Sequence, residues 1–492
     1  ADVLIYLFRA YGRDLTDNEI RANYIHDGST GTEILSRKER NDIYDGSGKI
    51  NVEGAASKNP NVHFITINAE RMTIGKKDKV TGSINHICVA GGNEHKWTAP
   101  MEMTVQGTSS VEHAETAGGN LKFKLKQGIT LEDGVHKDGY AMHGEDKSIP
   151  IKILNFKKNI ASEDHIVNMM CAEWYNKYQP SIRQERIDDP RVRDCLEAVM
   201  CAVFFHNTGN TAVKVGPDTV QPDETVFFGL GNLCTDKDAE NAFQYEPIVI
   251  EVKNNTEPQV RFKSDDLTGA NFDNNFEFRY LDTNQYTEEQ AKALWQKVQT
   301  FVCACDFTQA TNAALPNDVS IKGQLFQTDT AEYRKAKWKA EAADHFDMPG
   351  LYWHHNDTLF HLLRDNRAKN MFWSYRPDTG KWSLKFNWDN DTGHCRNNEG
   401  YVDIEPGYLD YDTIGTAYVF NAADNVIFQN LRECNFAELQ AAYIERESAG
   451  AWNIDTLYQY AKENQNYICE SLWIEDAQHN AIRTMQNLGT TA

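Results

Sequence analysis

The chain has 492 residues, 40% hydrophobic and 11% aromatic. That composition supplies large cores and excludes a disordered polymer. Its formal net charge of -22 repels phosphate backbones, which argues against direct nucleic-acid binding in the absence of local basic clusters. The length predicts two or three domains, and no apolar run reaches the ~18 residues that a transmembrane helix needs.

The opening "ADVLIYLFRAYGRDL" has six apolar residues in a row and no basic leader. It reads as a strand entering the fold directly rather than as a signal peptide. The initial Ala points either to removal of Met or to a piece of a longer chain. The segment "HDGSTGTEILSRKERNDIYDGSGKINVEG" is polar and predicted irregular. "VHFITINAE", "HICVAG", "MEMTVQGTSS" and "LKFKLKQG" are short β-type runs separated by Gly, Asn and Asp. "VAGGNEH" and "FGLGNL" lack a G-x-G-x-x-G or Walker pattern, so their glycines read as turns. Ser109 and Ser110 read as turn residues, since no G-x-S-x-G elbow is present.

Helices begin after about Asn159. In "SEDHIVNMMCAEWYNKY", Ser162 can cap and Ile166, Met169, Met170 and Trp174 recur at helical spacing. "DPRVRDCLEAVMCAVFFHN" reads as a second apolar helix or as a helix followed by a strand. "ETVFFGLGNL" and "PIVIEVKNN" return to strand character. "YTEEQAKALWQKVQTFVCAC" carries a helix start, with Thr287 as cap and Glu288 and Glu289 in the first turn. From Asp329 the chain reads as mostly helical. The exception is "FWSYRPDTGKWSLKFNW", a hairpin turning at Pro377–Gly380. One helix is predicted from about Asp424 to Glu447, stopping at Gly450, and another from about Asp455, with Leu457, Tyr460, Ala461, Tyr467, Ile468 and Leu472 on one face. The ten cysteines form no C-x-x-C pair. They read as reduced, buried small hydrophobes of a chain folded in a reducing cytosol, Cys303 and Cys305 among them. His345, His354, His355 and His361 form no H-E-x-x-H motif and read as satisfied or surface histidines rather than zinc ligands.

The stretch "RDNRAKN", Arg364 to Asn370, places Asp365 five residues before Asn370. Protein kinases use the same offset between the catalytic-loop Asp and its metal-binding Asn. The following hairpin should return the chain to the same end, bringing Asp389 or Asp391 of "WDND" beside Asn370. Such hard oxygen ligands suit magnesium or calcium. Asp and Asn are equally at home where helices end and hairpins begin, and the kinase-type His is replaced by Leu363. Spacing alone leaves both readings open.

Several pieces occur together in a familiar order: "VQGTSS" with "GNLKFKLK", "FFGLGNLCTDKDAENAF", "FEFRYLD", and "RDNRAKNMFWSY" continuing through "KWSLKFNWDNDTG" to "NNEGY". Over roughly residues 40 to 480, with "NDIYDGSGKI" and "KKDKVTG" near its start, the chain resembles the CotH kinase-like region of large phage tail proteins. The likeness is greatest to the tail-end, or muzzle, proteins of crAss-like podophages. The resemblance implies an α+β, bilobal atypical-kinase fold with a β-rich N-terminal part and a mainly helical C-terminal part. On this basis we expect a β-rich segment at 1–75, an N-lobe-like α+β region at 76–285 and a helical C-lobe-like region at 286–492.

It further implies Asp365 as the catalytic-loop Asp, Asn370 as its metal partner, and Asp389 or Asp391 as the second metal carboxylate. ATP would enter only with kinase activity. The family's aromatic–Pro pair and its Lys or Arg before the Asn are absent from "VEHAETAGGN", where Gly119 precedes Asn120. Lys122 and Lys124 remain as candidates for the phosphate-binding cation, on one face of their strand. The expected function is a structural, catalytically inactive component of a virion tail. Its partners would be other tail proteins and copies of itself, and it would be made and folded in the host cytoplasm. The alternatives are an active metal-dependent kinase and a host-surface recognition module.

Overall fold

The computed structural model describes residues 40, 42–107, 119–158, 165–179, 184–216, 218–390, 393, 420–465, 468–469 and 471–476. The strand expected at residues 3–8, the cap at Ser162, the turn at Ser109 and Ser110, Tyr467, Cys395 and Asp391 lie outside them. The chain is α+β, with a β-rich N-terminal part and a helical C-terminal part. Among the described residues, no helix is long and apolar enough to cross a membrane.

Helix α1 (Val52–Lys58) precedes β1 (His63–Ala69), β2 (Val80–Ala90), β3 (Asn93–Val105), β4 (Leu121–Leu125), β5 (Ile129–Leu131), β6 (His136–Lys137) and β7 (Ile153–Lys157). Helices α2 (Val167–Tyr178) and α3 (Gln184–Asp188) follow. Next come β8 (Ala198–Asn207), β9 (Val213–Val215), β10 (Asp218–Val220) and β11 (Thr225–Thr235). These strands, β9 and β10 apart, form one sheet in the order β2-β1-β8-β11-β7-β4-β3-β5-β6. Because β2 also pairs with β3, seven of its strands close into a ring of pairings. Closure removes exposed strand edges. The β1–β8 pair is parallel and the other pairs of that ring are antiparallel.

Helix α4 (Glu240–Phe243) leads to β12 (Ile248–Val252), α5 (Ala270–Asn275) and β13 (Phe276–Leu281). After α6 (Glu288–Ala304) the hairpin β14 (Ala314–Ile321) and β15 (Gln324–Thr328) precedes α7 (Ala331–His345) and α8 (Met348–Phe360). Then come β16 (Met371–Arg376) and β17 (Lys381–Asn387), followed by α9 (Val426–Cys434), α10 (Phe436–Ser448) and α11 (Ile454–Gln465). A second sheet runs β13-β12-β16-β17.

Two large cores result. The first gathers the ring and α2, and takes in Ala451, Trp452, Leu457 and Leu472 from the end of the chain. The second gathers α6, α7, α9 and the four-stranded sheet around Trp295, Trp338, Trp373 and Trp382. Val249, Trp353, Phe372 and Trp388 come from the second half of the chain yet pack into the first core, so they join the two. The boundary expected at 75–76 falls between two strands of one sheet, and that at 285–286 falls inside the second core.

Local signals account for most elements. Thr287 closes a full capping box with Gln290, which stabilises a helix by ~1 kcal/mol or more. Several expectations need correction. Helix α1 lies well before Asn159, the expected start of the helices, and α11 ends at Gln465, so Ile468 and Leu472 lie beyond it. "AVMCAVFF" is entirely strand: its run is apolar on both faces because the ring covers one side and α2 packs on the other. Gly229 and Gly231 lie within β11, not in a turn; a Cβ at Gly231 would collide with the Lys157 carbonyl. The long helix expected from Asp424 is broken at Asn435, which ends α9 and starts α10. There its Oδ1 accepts the Trp338 indole N–H at 2.9 Å.

Candidate functional site

The loop 361–370 lies between α8 and β16, and the β16–β17 hairpin returns the chain beside it, as the turn at Pro377–Gly380 predicts. Met371 pairs with Asn387, and the Trp388 N–H donates to the Asn370 carbonyl at 3.0 Å. Asn370 and Asp389 therefore flank one closure. Both adopt positive φ, 64° and 62°, a region that Asn and Asp enter more readily than other non-glycine residues.

The cation that meets Asp389 comes from the first core. Lys157, the last residue of β7, donates its ammonium to Asp389 Oδ1. The lysine side chain is 1% exposed and the carboxylate 33%. The Lys157 Nζ also stands 5.1 Å from the Trp388 ring centroid. Lys237 Nζ lies 5.8 Å from the same ring and 5.9 Å from that of Phe372. Burial works to raise the Asp389 pKa, but Lys157, aided by Lys369 and Lys237, outweighs it and holds the carboxyl below its ordinary value.

Asp365 is nearly buried, at 6% exposure. Its Oδ1 accepts from the Asn255 amide at 3.1 Å and from the Asn421 amide. Asn255 Oδ1 in turn accepts the Lys369 N–H at 2.9 Å, and the Asn421 N–H donates to the Arg364 carbonyl at 2.9 Å. The rest of "RDNRAKN" is equally committed. The Asn366 side chain donates to the Trp388 carbonyl at 3.0 Å, and its own carbonyl accepts from His354 Nε2 at 2.8 Å. The Arg367 guanidinium carbon lies 3.7 Å from the Phe420 ring centroid. Asn425 donates to the Arg367 carbonyl at 2.8 Å, and Asn168 Oδ1 accepts the Asn390 N–H at 3.0 Å. Asparagine amides thus tie this loop to the segment after β12 and the segment before α9, and tie Asn390 beyond the hairpin to α2.

Lys122 and Lys124 share a face of β4, as expected, but the contacts of Lys122 are with Asp236, at 2.9 Å, and Asp238, while Lys124 is exposed. Burial opposes the Lys122 charge, yet the two aspartates raise its pKa above the ordinary lysine value. Asp238 also pairs with Arg279, which reaches Glu251 at 2.8 Å, and Glu251 pairs with Lys237 at 2.5 Å. Lys122 is linked to the Asp389 region through these charges rather than by touching it. Lys157 was not singled out in the sequence; the available signal was a pair of lysines ending the apolar strand "ILNFKK".

A divalent ion of the magnesium or calcium type needs several hard oxygens free to turn toward it. Lys157 engages Asp389 Oδ1 and two amides engage Asp365 Oδ1, so an ion here would have to displace them or draw on the second oxygen of each carboxylate. His354 and His355 are buried rather than on the surface, as is His361; His354 Nε2 and His355 Nδ1 hold partners while His354 Nδ1 and His355 Nε2 have none, and among the described residues no three His, Cys, Asp or Glu side chains form a metal cluster. No protein-family model matches the chain, and no curated protein matches it.

Proposed function

We propose that this chain is a structural component of a phage tail, of the tail-end or muzzle type. Its scaffold would be a bilobal, CotH-like kinase fold in which the catalytic-loop-like segment serves as a packing joint. The observation that carries the non-catalytic part is the engagement of Asp365 by Asn255 and Asn421 within a nearly buried loop. A carboxylate that must accept a substrate proton has to be reachable by the substrate hydroxyl. The tail assignment rests on the sequence resemblance, and the partners it entails are other tail proteins and further copies of the chain.

In purified virions the protein should be present at fixed stoichiometry; finding it only in lysate from infected cells would reject the tail role. Incubated with labelled ATP and magnesium, the wild-type chain should incorporate no more label than Asp365→Ala. One observation favours a second reading, a metal-dependent kinase: Lys157 stands on Asp389 beside Asn370, in the order cation, carboxylate, amide. Label incorporation that disappears in both Asp365→Ala and Lys157→Met would establish that reading over the first.

A further inference from the structure

A cleft of about 1410 Å³ is lined by residues from 61 to 200 together with Tyr460 and Asn464. At its wall the strand register brings metal-favouring side chains together. His63 on β1 lies opposite Cys88 on β2 and Cys201 on β8, and His86 is two residues from Cys88 on the same face. Tyr140 joins them, so that His63 Nδ1 is 2.9 Å from His86 Nε2 and 3.0 Å from the Tyr140 hydroxyl. His86 stacks on Trp97 with centroids 4.8 Å apart, which fixes the imidazole plane.

Hydrogen bonding alone does not satisfy this trio. A neutral imidazole nitrogen offers one hydrogen or one lone pair, never both. If His63 Nδ1 carries the proton and gives it to His86 Nε2, the Tyr140 hydrogen has no place on Nδ1. His86 must then carry its own proton on Nδ1, a buried atom without a hydrogen-bond partner. If His86 Nε2 carries the proton, the single lone pair of His63 Nδ1 must serve both His86 and Tyr140. Donor atoms 2.9–3.0 Å apart are what neighbouring ligands at about 90° show around an ion with bonds of about 2.1 Å, as in a tetragonal copper site; a tetrahedral zinc site needs them to open to about 3.4 Å. We propose that His63 Nδ1, His86 Nε2 and the Tyr140 oxygen bind a first-row transition-metal ion of the zinc or copper type, with an open position toward the cleft. Imidazole and phenolate donors suit these ions better than magnesium or calcium. Binding breaks the Tyr140 O–H bond and releases that proton to solvent. His86 Nδ1–H remains without a protein acceptor in the bound state, as in the first tautomer. The third ligand is a phenol, so no cluster of His, Cys, Asp and Glu alone is required.

The test uses the full chain, stripped with a chelator and titrated with Cu²⁺. One equivalent should bind and give a visible phenolate-to-copper charge-transfer band, and one equivalent of Zn²⁺ should compete it away. Tyr140→Phe, which keeps the ring packed, should lose the band and weaken zinc binding by at least about tenfold. His95→Ala/His143→Ala, which alters only other imidazoles lining the cleft, should keep the band. If Tyr140→Phe does not fold, calorimetry of zinc binding to wild type in buffers of different ionisation enthalpy should read about one proton released. Absence of the band, its survival in Tyr140→Phe, its loss in the His95/His143 variant, or zinc binding without proton release would each overturn the site.

Discussion

Asp389→Asn should destabilise the fold more than Lys157→Met, although the two residues form one ion pair. The reason is their unequal burial. Removing the Asp389 charge takes away the carboxylate that holds the Lys157 ammonium, whose side chain is 1% exposed and lies against the Trp388 face. Deleting one partner of a buried pair costs about 3–5 kcal/mol. Water reaches the one-third-exposed Asp389 position, and that screening places the expectation at the lower end, about 3 kcal/mol. Removing Lys157 instead leaves a carboxylate that solvent, Lys369 and Lys237 can still stabilise, so roughly 1–2 kcal/mol is expected. The double variant Lys157→Met/Asp389→Asn should cost less than Asp389→Asn alone, because no charge is left unpaired. Urea unfolding followed by fluorescence and circular dichroism measures all three. Since Asp389 is held below the ordinary carboxylate value, its contribution is complete above about pH 4. It is lost only as pH falls through the lowered native value. The difference from Asp389→Asn should therefore be level from pH 8 to 5 and shrink below 4. A change under about 0.5 kcal/mol for Asp389→Asn, within the range of ordinary surface substitutions, or a larger one for Lys157→Met, would refute the reasoning.

Burial pushes the Lys158 amine down to about 8 against the pull of Asp476. The unfolded chain then binds more protons than the native one between pH 8 and about 10.4. Wild type should gain stability relative to Lys158→Met across that window, on the order of 2–3 kcal/mol; parallel pH profiles would contradict the burial argument. Gly231→Ala meets the Lys157 backbone, whereas Gly229→Ala meets the flexible Lys158 side chain, with Cε at 2.6 Å. Thermal unfolding should show a loss of about 3 kcal/mol for the first and nearer 1 for the second. Burial raises the thiols of Cys88 and Cys469 to about 11 and those of Cys234 and Cys303 to about 12. In a Cys395→Ser background, a disulfide reagent at pH 8 should label native protein at least about a hundredfold more slowly than urea-unfolded protein, a rapidly reacting thiol being the contrary result.

Local chemistry was legible wherever it was self-contained. The Thr287 capping box, the turn at Pro377–Gly380 and the helical spacing of Met169, Met170 and Trp174 each rest on contacts within a few residues, and each formed. "AVMCAVFF" was ambiguous because periodicity separates helix from strand only when one face is polar, and here both are covered. The break at Asn435 depends on Trp338, 97 residues earlier. Lys157 meets Asp389 across 232 residues, so its role depends on which strand ends beside the hairpin. The glycines of β11 were misread for the same reason: Gly231 makes room for the backbone of β7 and Gly229 for the Lys158 side chain, which no local pattern records.

The asparagine ties sharpen what separates the two readings of the 364–370 loop. A catalytic Asp can be recessed in a resting enzyme, but its lone pairs must become available when substrate arrives. Here the amides that hold Asp365 belong to two segments with other duties. Asn255 also accepts the Lys369 N–H, and the Asn421 backbone closes on Arg364. Both amides sit on Oδ1, and freeing that oxygen would loosen the loop after β12, the loop before α9 and the backbone of the supposed catalytic loop together. Such coupled opening disfavours turnover, yet it suits a joint between two cores already linked through Phe372 and Trp388. The burden therefore falls on Asn255 and Asn421 rather than on Asp365 alone. In a structural joint, removing either amide weakens packing and creates no phosphoryl transfer; in a latent enzyme, Asn421→Ala would expose Asp365 and raise label incorporation above wild type.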